Sequence, residues 1–346
     1  MLCAKVAKET SVEVTIEGRR LKLTNLEKVL YPEVGFTKAQ VIDYYTRIAP
    51  VLLPHTHDHP LTLKRFPNGV DGEFFYEKNC PKHRPEWVET AKVWSGGNNR
   101  DMYYCLAQDL PTMVWLANLA TLEMHTSLSL CSNLPEPRTL VFDLDPGPPA
   151  TIVECCRIGL MLRDLFADHG LECCAKTSGS KGLQLYVPLN TKVDYNQTKV
   201  VSKGLAQYFE EKHPDLAVHK QLKELRTGRV LIDWSQNDQY KTTVNVYSLR
   251  ARSRPTVSTP VSWDEVEKCF KKKDPSLLVF DSEQVLKRVE KLGDLFEPVV
   301  KKKQKLPKSL LEATGGVAAL EKMATRRHSG GRGRYPPQKG QRRPPE

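Results

Sequence analysis

The sequence predicts an α/β protein with mixed sheets, of the α+β kind, folded as essentially one compact domain. Short apolar runs around Pro and Gly turns, which are typical of strands, recur along the chain. Segments with apolar residues at helical spacing lie between them, and several begin with a capping box. Because strands and helices alternate without a strict βαβ rhythm, a mixed sheet is favoured over a doubly wound one.

The N-terminal third begins with a predicted strand, SVEVTIEGRRLKL. In TNLEKVLYP, Thr24 and Glu27 fit a capping box, and Pro32 is expected to end a short helix. In TKAQVIDYYTRIAPVLLP, Thr37 and Gln40 repeat the pattern before apolar residues at helical spacing, which predicts a second helix. PLTLKRFPNG and GEFFYEK are interpreted as strands around a Pro/Gly turn.

The middle of the chain contains most of the polar motifs. DLPTMVWLANLATLEMHTSLS is predicted to be a helix that runs into His125, and the strand TLVFDLDPG follows it. ATIVECCRIGLMLRDLFADHG is predicted to be a helix with Gly170 as its C-cap. LECCAKTSGSKGLQLYVPL is interpreted as a strand, a Gly-rich turn and a strand, and TKVVSKGLAQYFEEKHP as a helix.

The last predicted elements precede a change in composition near residue 300. GRVLIDWSQND is an apolar strand that ends in Asp233, and TTVNVYSLRARSRP is a further strand. VSWDEVEKCF begins a helix with a capping box formed by Ser262 and Glu265. We therefore expect one domain over residues 1–300 and a basic tail over residues 301–346.

Most of the net charge of +11 lies in that tail. Residues 301–346 contain thirteen Lys and Arg and three Glu, so the rest of the chain is nearly neutral. The tail is also rich in Gly, Pro and Arg, which predicts disorder past about residue 325. A flexible polycation of this kind is expected to bind a polyanion. Nucleic acid is the favoured partner, and acidic protein is the next. A solubilising extension is the simpler alternative.

The composition excludes several classes of protein. No apolar run reaches the roughly 18 residues of a membrane span, and the N-terminus lacks the apolar core of a secretory signal. A cytoplasmic location is therefore expected. The nine cysteines include no CxxC, and the CPKH stretch, Cys80 to His83, has no second half at zinc-ligand spacing. Reduced, structural thiols are expected.

The motif TLVFDLDPGPPA indicates a divalent-metal site. In a strand, Asp143 and Asp145 project to the same face, where two carboxylates repel each other unless a cation lies between them. Such aspartates bind two metal ions in polymerases and primases when a third carboxylate joins them. Two alternatives are a phosphatase of the haloacid-dehalogenase type, with an Asp nucleophile, and an exposed turn at Asp145-Pro146-Gly147.

Asp233, after the apolar run VLID, supplies the third carboxylate that a polymerase needs. Between the acidic strands, KTSGSKGLQLYV combines glycines that admit a ligand close to the backbone with hydroxyls and a charge. This predicts a phosphate cradle, although a Gly/Ser hairpin turn also explains the stretch. Arg250 and Arg252 could contact a triphosphate or simply lie on an exposed strand edge.

Together these motifs resemble those of a known family. TLVFDLDPG, TSGSKGLQLYVPL, VLIDWSQN and YSLRARSRPTVSTPVSWDEV are similar, in order, to motifs of the polymerase domain of bacterial ATP-dependent DNA ligase D. The N-terminal LTNLEKVLYPEVGFTKAQVIDYY and LKRFPNGVDGEFFYEK extend the resemblance, which covers residues 20–300. That family belongs to the archaeo-eukaryotic primase superfamily. The resemblance implies a primase-like catalytic core over residues 1–300 and a stand-alone primase-polymerase.

The resemblance also implies roles for individual residues. Asp143, Asp145 and Asp233 would be the catalytic residues and the ligands of two divalent ions, Mn²⁺ or Mg²⁺. Asn25, Lys28 and Lys38 would bind the 5′-phosphate of a downstream strand, although surface lysines are also commonly just solvated. The template would lie against Phe75, Tyr76 and Arg226, the two aromatics having core packing as their alternative. The incoming nucleotide would contact His125, Ser178, Ser180, Lys181, Gln184, Gln236, Arg250 and Lys64.

Gln184 departs from the family pattern, which has His in SGSKGLHLY. A neutral Gln can donate a hydrogen bond to a phosphate but cannot carry charge. The family's preference for ribonucleotides is therefore not assumed to be strict in this chain.

The activity implied is template-directed addition of nucleotides to primer ends at gaps and breaks with a 5′-phosphate, in end joining or gap filling. The substrates would be NTPs or dNTPs and gapped or broken DNA. A separate DNA ligase and a DNA-end-binding protein are implied partners, and a monomer at the nucleoid is expected. The alternatives are a non-catalytic DNA-end-binding module and the DxD phosphatase.

Overall fold

The computed structural model describes residues 10–95, 99–315 and 341–343, the last three by their backbone alone. The chain is a mixed α/β fold, as predicted, with a six-stranded and a four-stranded sheet that contribute residues to one shared hydrophobic core cluster. In the N-terminal half the elements are β1 (Ser11–Ile16), β2 (Arg19–Thr24), β3 (Val29–Tyr31), β4 (Phe36–Thr37), α1 (Lys38–Thr56), β5 (Leu61–Arg65), β6 (Phe75–Glu77), β7 (Thr90–Ser95), β8 (Arg100–Cys105), α2 (Leu110–Asn118), β9 (Thr121–Ser127) and β10 (Thr139–Pro146).

The remaining elements complete the larger sheet and cover it with helices. They are α3 (Ile152–Asp168), β11 (Cys174–Thr177), β12 (Leu183–Pro188), α4 (Tyr195–Lys212), β13 (Ala217–Val218), β14 (Val230–Asp233), β15 (Thr242–Val244), β16 (Pro260–Val261), α5 (Trp263–Lys272), α6 (Ser282–Leu292), α7 (Glu297–Lys301), α8 (Lys308–Ala313) and β17 (Gln341–Arg343). In the residues described, no helix is both long enough and apolar enough to cross a lipid bilayer.

The six-stranded sheet has the order β13-β14-β10-β12-β11-β16 and places the DxD strand β10 near its centre. One face of β10 is apolar, because Leu140, Phe142 and Leu144 pack in the core cluster that also contains α3, α4 and α5. Val141 lies on the same face of β10 as the aspartates and packs in a core cluster with Leu63 and Met124 of the four-stranded sheet, whose order is β15-β9-β5-β6. The Tyr186 hydroxyl of β12 bonds the Thr243 hydroxyl of β15 at 2.8 Å and joins the two layers. The polar residues of the DxD strand therefore lie between the sheets.

Two helix predictions in the first half are wrong. TNLEKVLYP forms a turn and the strand β3, because Asn25 has a left-handed backbone (φ 53°) and the Thr24 hydroxyl accepts a hydrogen bond from Lys38 Nζ instead of capping a helix. The segment predicted as a helix up to His125 ends as a helix at Asn118. Ala120, at φ 57°, reverses the chain, and His125 lies on β9, where pairing with β5 and β15 outweighs the helical pattern.

Other predictions need smaller corrections. The N-terminal strand is a hairpin of β1 and β2, and TTVNVYSLRARSRP is a strand only over Thr242–Val244. The capping boxes of Thr37 and Gln40, and of Ser262 and Glu265, are confirmed.

The packed chain continues past the boundary predicted at residue 300. Leu310 of α8 is fully buried in the core cluster, and Gln304 donates to the carbonyls of Glu172 and Pro188. The domain therefore includes residues 301–315, which the sequence assigned to the tail. Most of the predicted disordered segment lies outside the described residues, but Gln341–Arg343 pair with β7 as a short strand.

The expectation of reduced cysteines throughout is wrong at one position. Cys80 and Cys105 form a disulfide that joins the loop before β7 to the end of β8. Both are buried, and Cys80 lies in the CPKH stretch that was considered as half a zinc site. The six other cysteines in the described residues are not part of a disulfide.

Candidate active site

Three predicted carboxylates lie together on neighbouring strands. Asp143 of β10 is directly opposite Asp233 of β14 in the antiparallel register, so their side chains project to the same face. Asp145, two residues further along β10, shares that face. An exposed turn does not require this third carboxylate, whereas a two-metal site does.

The electrostatics of Asp143 are those of crowded carboxylates. Burial, followed by the charges of Asp233 and Asp145, raises its pKa to about 6. A hydrogen bond from Gln184 and the charge of Lys176 act in the opposite direction. Asp143 is consequently poorly stabilised as an anion, and a nearby cation would stabilise it.

Asp145 and Asp233 are held by polar neighbours. Asp145 pairs with Lys181 (Nζ to Oδ1, 3.1 Å) and Arg226 (Nη1 to Oδ2, 3.2 Å). Asp233 Oδ1 accepts from the Ser235 amide at 3.0 Å and from Gln221 Nε2 at 3.1 Å. Gln236 Nε2 donates to Asp233 Oδ2 at 2.9 Å. Arg226, assigned from the resemblance to the template, and Gln236, assigned to the nucleotide, both contact carboxylates of this predicted site.

The donor chemistry of this face fits hard divalent cations. Carboxylate oxygens are the ligands that Mg²⁺ and Mn²⁺ prefer, and three of them share the face. Within the described residues, no three Asp, Glu, His or Cys side chains are gathered closely enough to enclose an ion as they stand. The cationic groups of Lys181 and Arg226 lie against Asp145 instead. An ion that bound Asp145 would therefore compete with these two side chains.

The Gly-rich turn between β11 and β12 has the compact form predicted for a phosphate cradle. A Cβ on Gly182 would lie 2.3 Å from the Leu144 carbonyl oxygen, and Gly179 has a left-handed backbone (φ 67°), so larger residues do not fit. Ser178 Oγ accepts from the Gly182 amide at 3.0 Å. Arg250 donates to the Ser178 carbonyl, and Arg252 to the Ser180 hydroxyl. Two arginines thus lie directly on the predicted cradle.

Glu123 of β9 is a site residue that the sequence reasoning missed. Its buried carboxylate is 3.0 Å from His125 Nε2, 3.6 Å from Lys64 Nζ and 3.4 Å from Arg250 Nε. Burial opposes ionisation, but the His125 hydrogen bond and the positive charges of Arg250, His125 and Lys64 hold its pKa well below the usual range. Glu123 therefore gathers three residues predicted to bind the nucleotide.

A sequence signal for Glu123 existed. Glu123 and His125 are spaced like Asp143 and Asp145, so a strand places both on one face. The helix prediction for this segment concealed that pairing.

A buried lysine was also missed. Lys176 of β11 is fully buried, and its Nζ donates to Gln184 Oε1 at 2.5 Å, to Ser258 Oγ at 2.7 Å and to the Val244 carbonyl at 3.1 Å. Burial lowers the pKa of this ammonium well below its usual range. Because its carbonyl faces Lys176, the Gln184 amide nitrogen is left to donate to Asp143.

The aromatic residues predicted to stack on the template are exposed, and so they are not core residues. Phe75 and Tyr76 of β6 are 43% and 56% accessible. Phe75 lies beside the Arg65 guanidinium (5.1 Å), whereas Tyr76 contacts the His125 ring (centroids 6.1 Å apart). Phe74 is exposed as well, and the Lys64 ammonium lies 4.3 Å from its ring centroid.

The three residues predicted to bind a 5′-phosphate line one cavity of about 550 Å³. Lys28 is exposed and donates to Asn68 Oδ1 at 2.9 Å, whereas Lys38 is buried and donates to the Thr24 carbonyl at 2.6 Å. Lys38 is therefore no solvated surface lysine. Further basic side chains line the same cavity: Arg20, Lys22, Arg65 and His83.

Comparison with known proteins identifies the family. The model of the family "LigD, primase-polymerase domain" matches residues 37–296. The multifunctional non-homologous end joining protein LigD of Mycolicibacterium smegmatis is 40% identical over 282 residues, which are 81% of this chain and 36% of that protein. The bifunctional LigD of Bacillus subtilis is 28% identical over 293 residues, 84% of this chain and 46% of that protein. The chain thus spans less than half the length of these relatives.

A solved structure agrees with the sequence comparisons. The polymerase domain of Mycobacterium tuberculosis ligase D, solved in complex with DNA, superimposes with a TM-score of 0.76 at 38% identity. The match covers 82% of this chain and 99% of that domain. The predicted primase-like fold is thereby confirmed. The chain belongs to the LigD primase-polymerase domain family of nucleotidyltransferases.

Proposed function

We propose that the protein is a template-directed primase-polymerase that extends primer 3′ ends at gaps and breaks bearing a 5′-phosphate. Its role would be DNA repair by end joining or gap filling. The observation that carries the proposal is the shared face of Asp143, Asp145 and Asp233, beside a cradle contacted by two arginines. The names of the relatives, which are end-joining proteins, and the DNA complex of the similar domain support it.

Asp143, Asp145 and Asp233 would hold two divalent ions, Mn²⁺ or Mg²⁺. When bound, these ions lower the pKa of the primer 3′-hydroxyl and neutralise charge that develops on the phosphates. Gln184, oriented by Lys176, donates to Asp143 and keeps that carboxylate in place. Gln236 and Ser235 do the same for Asp233.

The nucleotide would lie between the cradle and the four-stranded sheet. The Gly-rich turn offers backbone amides to the phosphates, and Lys181, Arg250 and Arg252 supply positive charge beside it. Lys64 and His125, held by Glu123, face the same space from β5 and β9. Tyr76, in contact with His125, would stack against a base.

DNA would span the two sheets. The cavity with Asn25, Lys28 and Lys38 would hold the downstream 5′-phosphate, because its basic side chains match a phosphate dianion. Phe75 would stack on the template. We propose a monomer at the nucleoid that relies on a separate DNA ligase and a DNA-end-binding protein.

Primer extension on a gapped, 5′-phosphorylated template, with labelled ribo- and deoxynucleotides, tests the proposal. We expect template-dependent extension that needs Mn²⁺ or Mg²⁺. The double variant Asp143→Ala/Asp145→Ala should lose extension while still binding the gapped DNA. Equal extension by this variant would refute the assignment of the carboxylates. DNA binding without extension by the wild-type protein would instead indicate a non-catalytic end-binding module.

A further inference from the structure

The order of the strands constrains how the primer can approach the nucleotide. Across the large sheet, the cradle lies between β11 and β12, the Asp143 and Asp145 strand β10 is next, and β14 with Asp233 is beyond it. Phosphoryl transfer needs the attacking and leaving oxygens roughly in line. If the cradle holds the leaving pyrophosphate, the 3′-hydroxyl arrives from the opposite side, over β14.

The surface beside β14 combines apolar and basic side chains. We name it the β14 ledge, and it consists of Lys220, Leu222, Lys223, Tyr240 and Lys241. Leu222 and Tyr240 are 59% and 52% accessible, which is unusual for large apolar side chains. No ion pair among the described residues joins any of the three lysines to a carboxylate, although Lys220 and Lys241 lie near enough to Glu210 and Asp238 to help lower the pKa of those carboxyls.

Hydrogen bonds attach this ledge to the catalytic carboxylate. Gln221, between Lys220 and Leu222, donates to Asp233 Oδ1 at 3.1 Å and to Ser235 Oγ at 2.7 Å. Lys241 donates to the same Ser235 hydroxyl, which in turn donates to Asp233 Oδ1. The two segments of the ledge therefore meet at Asp233. A primer whose 3′ end lies at Asp233 could contact both segments.

We propose that the β14 ledge binds the primer strand next to its 3′ end. Leu222 and Tyr240 pack against the terminal nucleotides, and the lysines contact the phosphates behind them. A nucleic-acid strand fits because its bases offer flat apolar faces and its backbone offers regularly spaced anions. The proposal rests on the proposed function and adds the subsite for one of its substrates.

Steady-state extension of a gapped primer–template by Leu222→Ala/Tyr240→Ala tests the ledge. We expect the KM for the primer–template to rise at least about fivefold, with an unchanged KM for the nucleotide and an unchanged preference for a 5′-phosphate. Tyr208→Ala is the matched control, since Tyr208 is an equally exposed (47%) tyrosine of α4 outside the ledge. An unchanged KM for the primer–template in the double variant would overturn the proposal.

A second measurement examines the lysines without depending on catalysis. Fluorescence anisotropy of a labelled primer–template gives the slope of the logarithm of the binding constant against the logarithm of the salt concentration. In Lys220→Ala/Lys223→Ala this slope should fall by the amount that about two phosphate contacts contribute. Lys287→Ala, an exposed lysine of α6, should leave the slope unchanged. An unaltered slope in the double variant would count against the ledge. If the wild-type protein extends no primer, the proposed function itself is refuted. If the wild-type protein and both ledge variants extend the primer equally well, only the ledge is refuted.

Discussion

Asp143 is a residue whose environment makes the folded protein less stable. Its folded pKa of about 6 exceeds the ordinary value of 3.8. The folded state therefore binds a proton more tightly than the unfolded chain between these values. The stability that comes from this proton is present below pH 3.8 and is lost as the pH rises to about 6. Above that pH the ionised carboxylate destabilises the fold by at most about 3 kcal/mol.

Replacing this charge should stabilise the metal-free protein. We expect Asp143→Asn to raise the Tm at pH 7.5 in the presence of a chelator, and to change it little at pH 4. Added Mn²⁺ should raise the Tm of the wild-type protein and of an Asp71→Asn control, but much less that of Asp143→Asn. Calorimetry at the two pH values is the measurement, and a lower Tm for Asp143→Asn at pH 7.5 would show that its charge is already compensated.

Glu123 determines where three cationic residues lie, and its charge is needed for that. In Glu123→Gln the amide retains the size of the side chain but loses the attraction for Lys64 and Arg250. We expect the KM for the nucleotide to rise about tenfold, because the variant loses binding energy comparable to one charge-assisted hydrogen bond. The change in kcat should be smaller.

A matched control separates this effect from a general loss of ion pairs. Glu267 of α5 pairs with Arg163 of α3 and with Lys271 of its own helix, on the far side of the large sheet. Glu267→Gln should leave both kinetic constants unchanged. An equal effect on kcat and on KM in Glu123→Gln would instead indicate damage to the catalytic face.

At the scale of elements, local patterns in the sequence predicted the structure where no distant partner competed. Thr37 with Gln40 and Ser262 with Glu265 cap helices as predicted, because both members of each pair lie within one turn. Thr24 fails as a cap because Lys38, fourteen residues away, takes its hydroxyl. Such a contact depends on the tertiary fold and leaves no trace in the local pattern.

The same limit explains the error at β9. An apolar run at helical spacing and a buried strand are hard to separate from sequence when their lengths are similar. The feature that ends the helix and reverses the chain is the positive φ of Ala120. Residues other than glycine seldom adopt such an angle, and the sequence does not indicate it. By contrast, the DxD strand was predictable because a short apolar run leads directly into alternating apolar and acidic residues over residues 142–145.

The disulfide is an element-scale constraint that the spacing of the cysteines did not reveal. It closes a loop of 25 residues around β7 and β8, and removing such a link typically costs about 3 kcal/mol. We expect Cys80→Ala/Cys105→Ala to unfold at a lower denaturant concentration than the wild-type protein. Reductant should shift the midpoint of the wild-type protein and leave that of the double variant unchanged. A wild-type midpoint insensitive to reductant would show that the bond does not contribute.

At the scale of the whole molecule, the binding sites proposed for the two sides of a break are attached to different parts of the fold. The carboxylates lie on the six-stranded sheet, whereas the cavity of Lys28 and Lys38 is lined by the N-terminal segments, Arg65 of β5, the loop before β7 and the end of α2. Because these parts pack into one domain, the distance between the primer end and the downstream phosphate is fixed. A gap much longer or shorter than this distance cannot occupy both sites at once.

This geometry predicts a dependence on gap length that requires the phosphate cavity. The wild-type protein should extend primers best at short gaps with a downstream 5′-phosphate, and Lys28→Ala should remove both the advantage of the phosphate and the preference for short gaps. Lys28 is suited to the test because it is exposed and, within the described part of the chain, its Nζ hydrogen-bonds Asn68 alone, whereas Lys38 is buried and its loss would disturb the fold. Extension rates on a series of gap lengths, each with a 5′-phosphate or a 5′-hydroxyl, are the measurement. A phosphate advantage that persists in Lys28→Ala would place the downstream end elsewhere on the molecule, and the fixed separation of the two sites would then not explain any preference for short gaps.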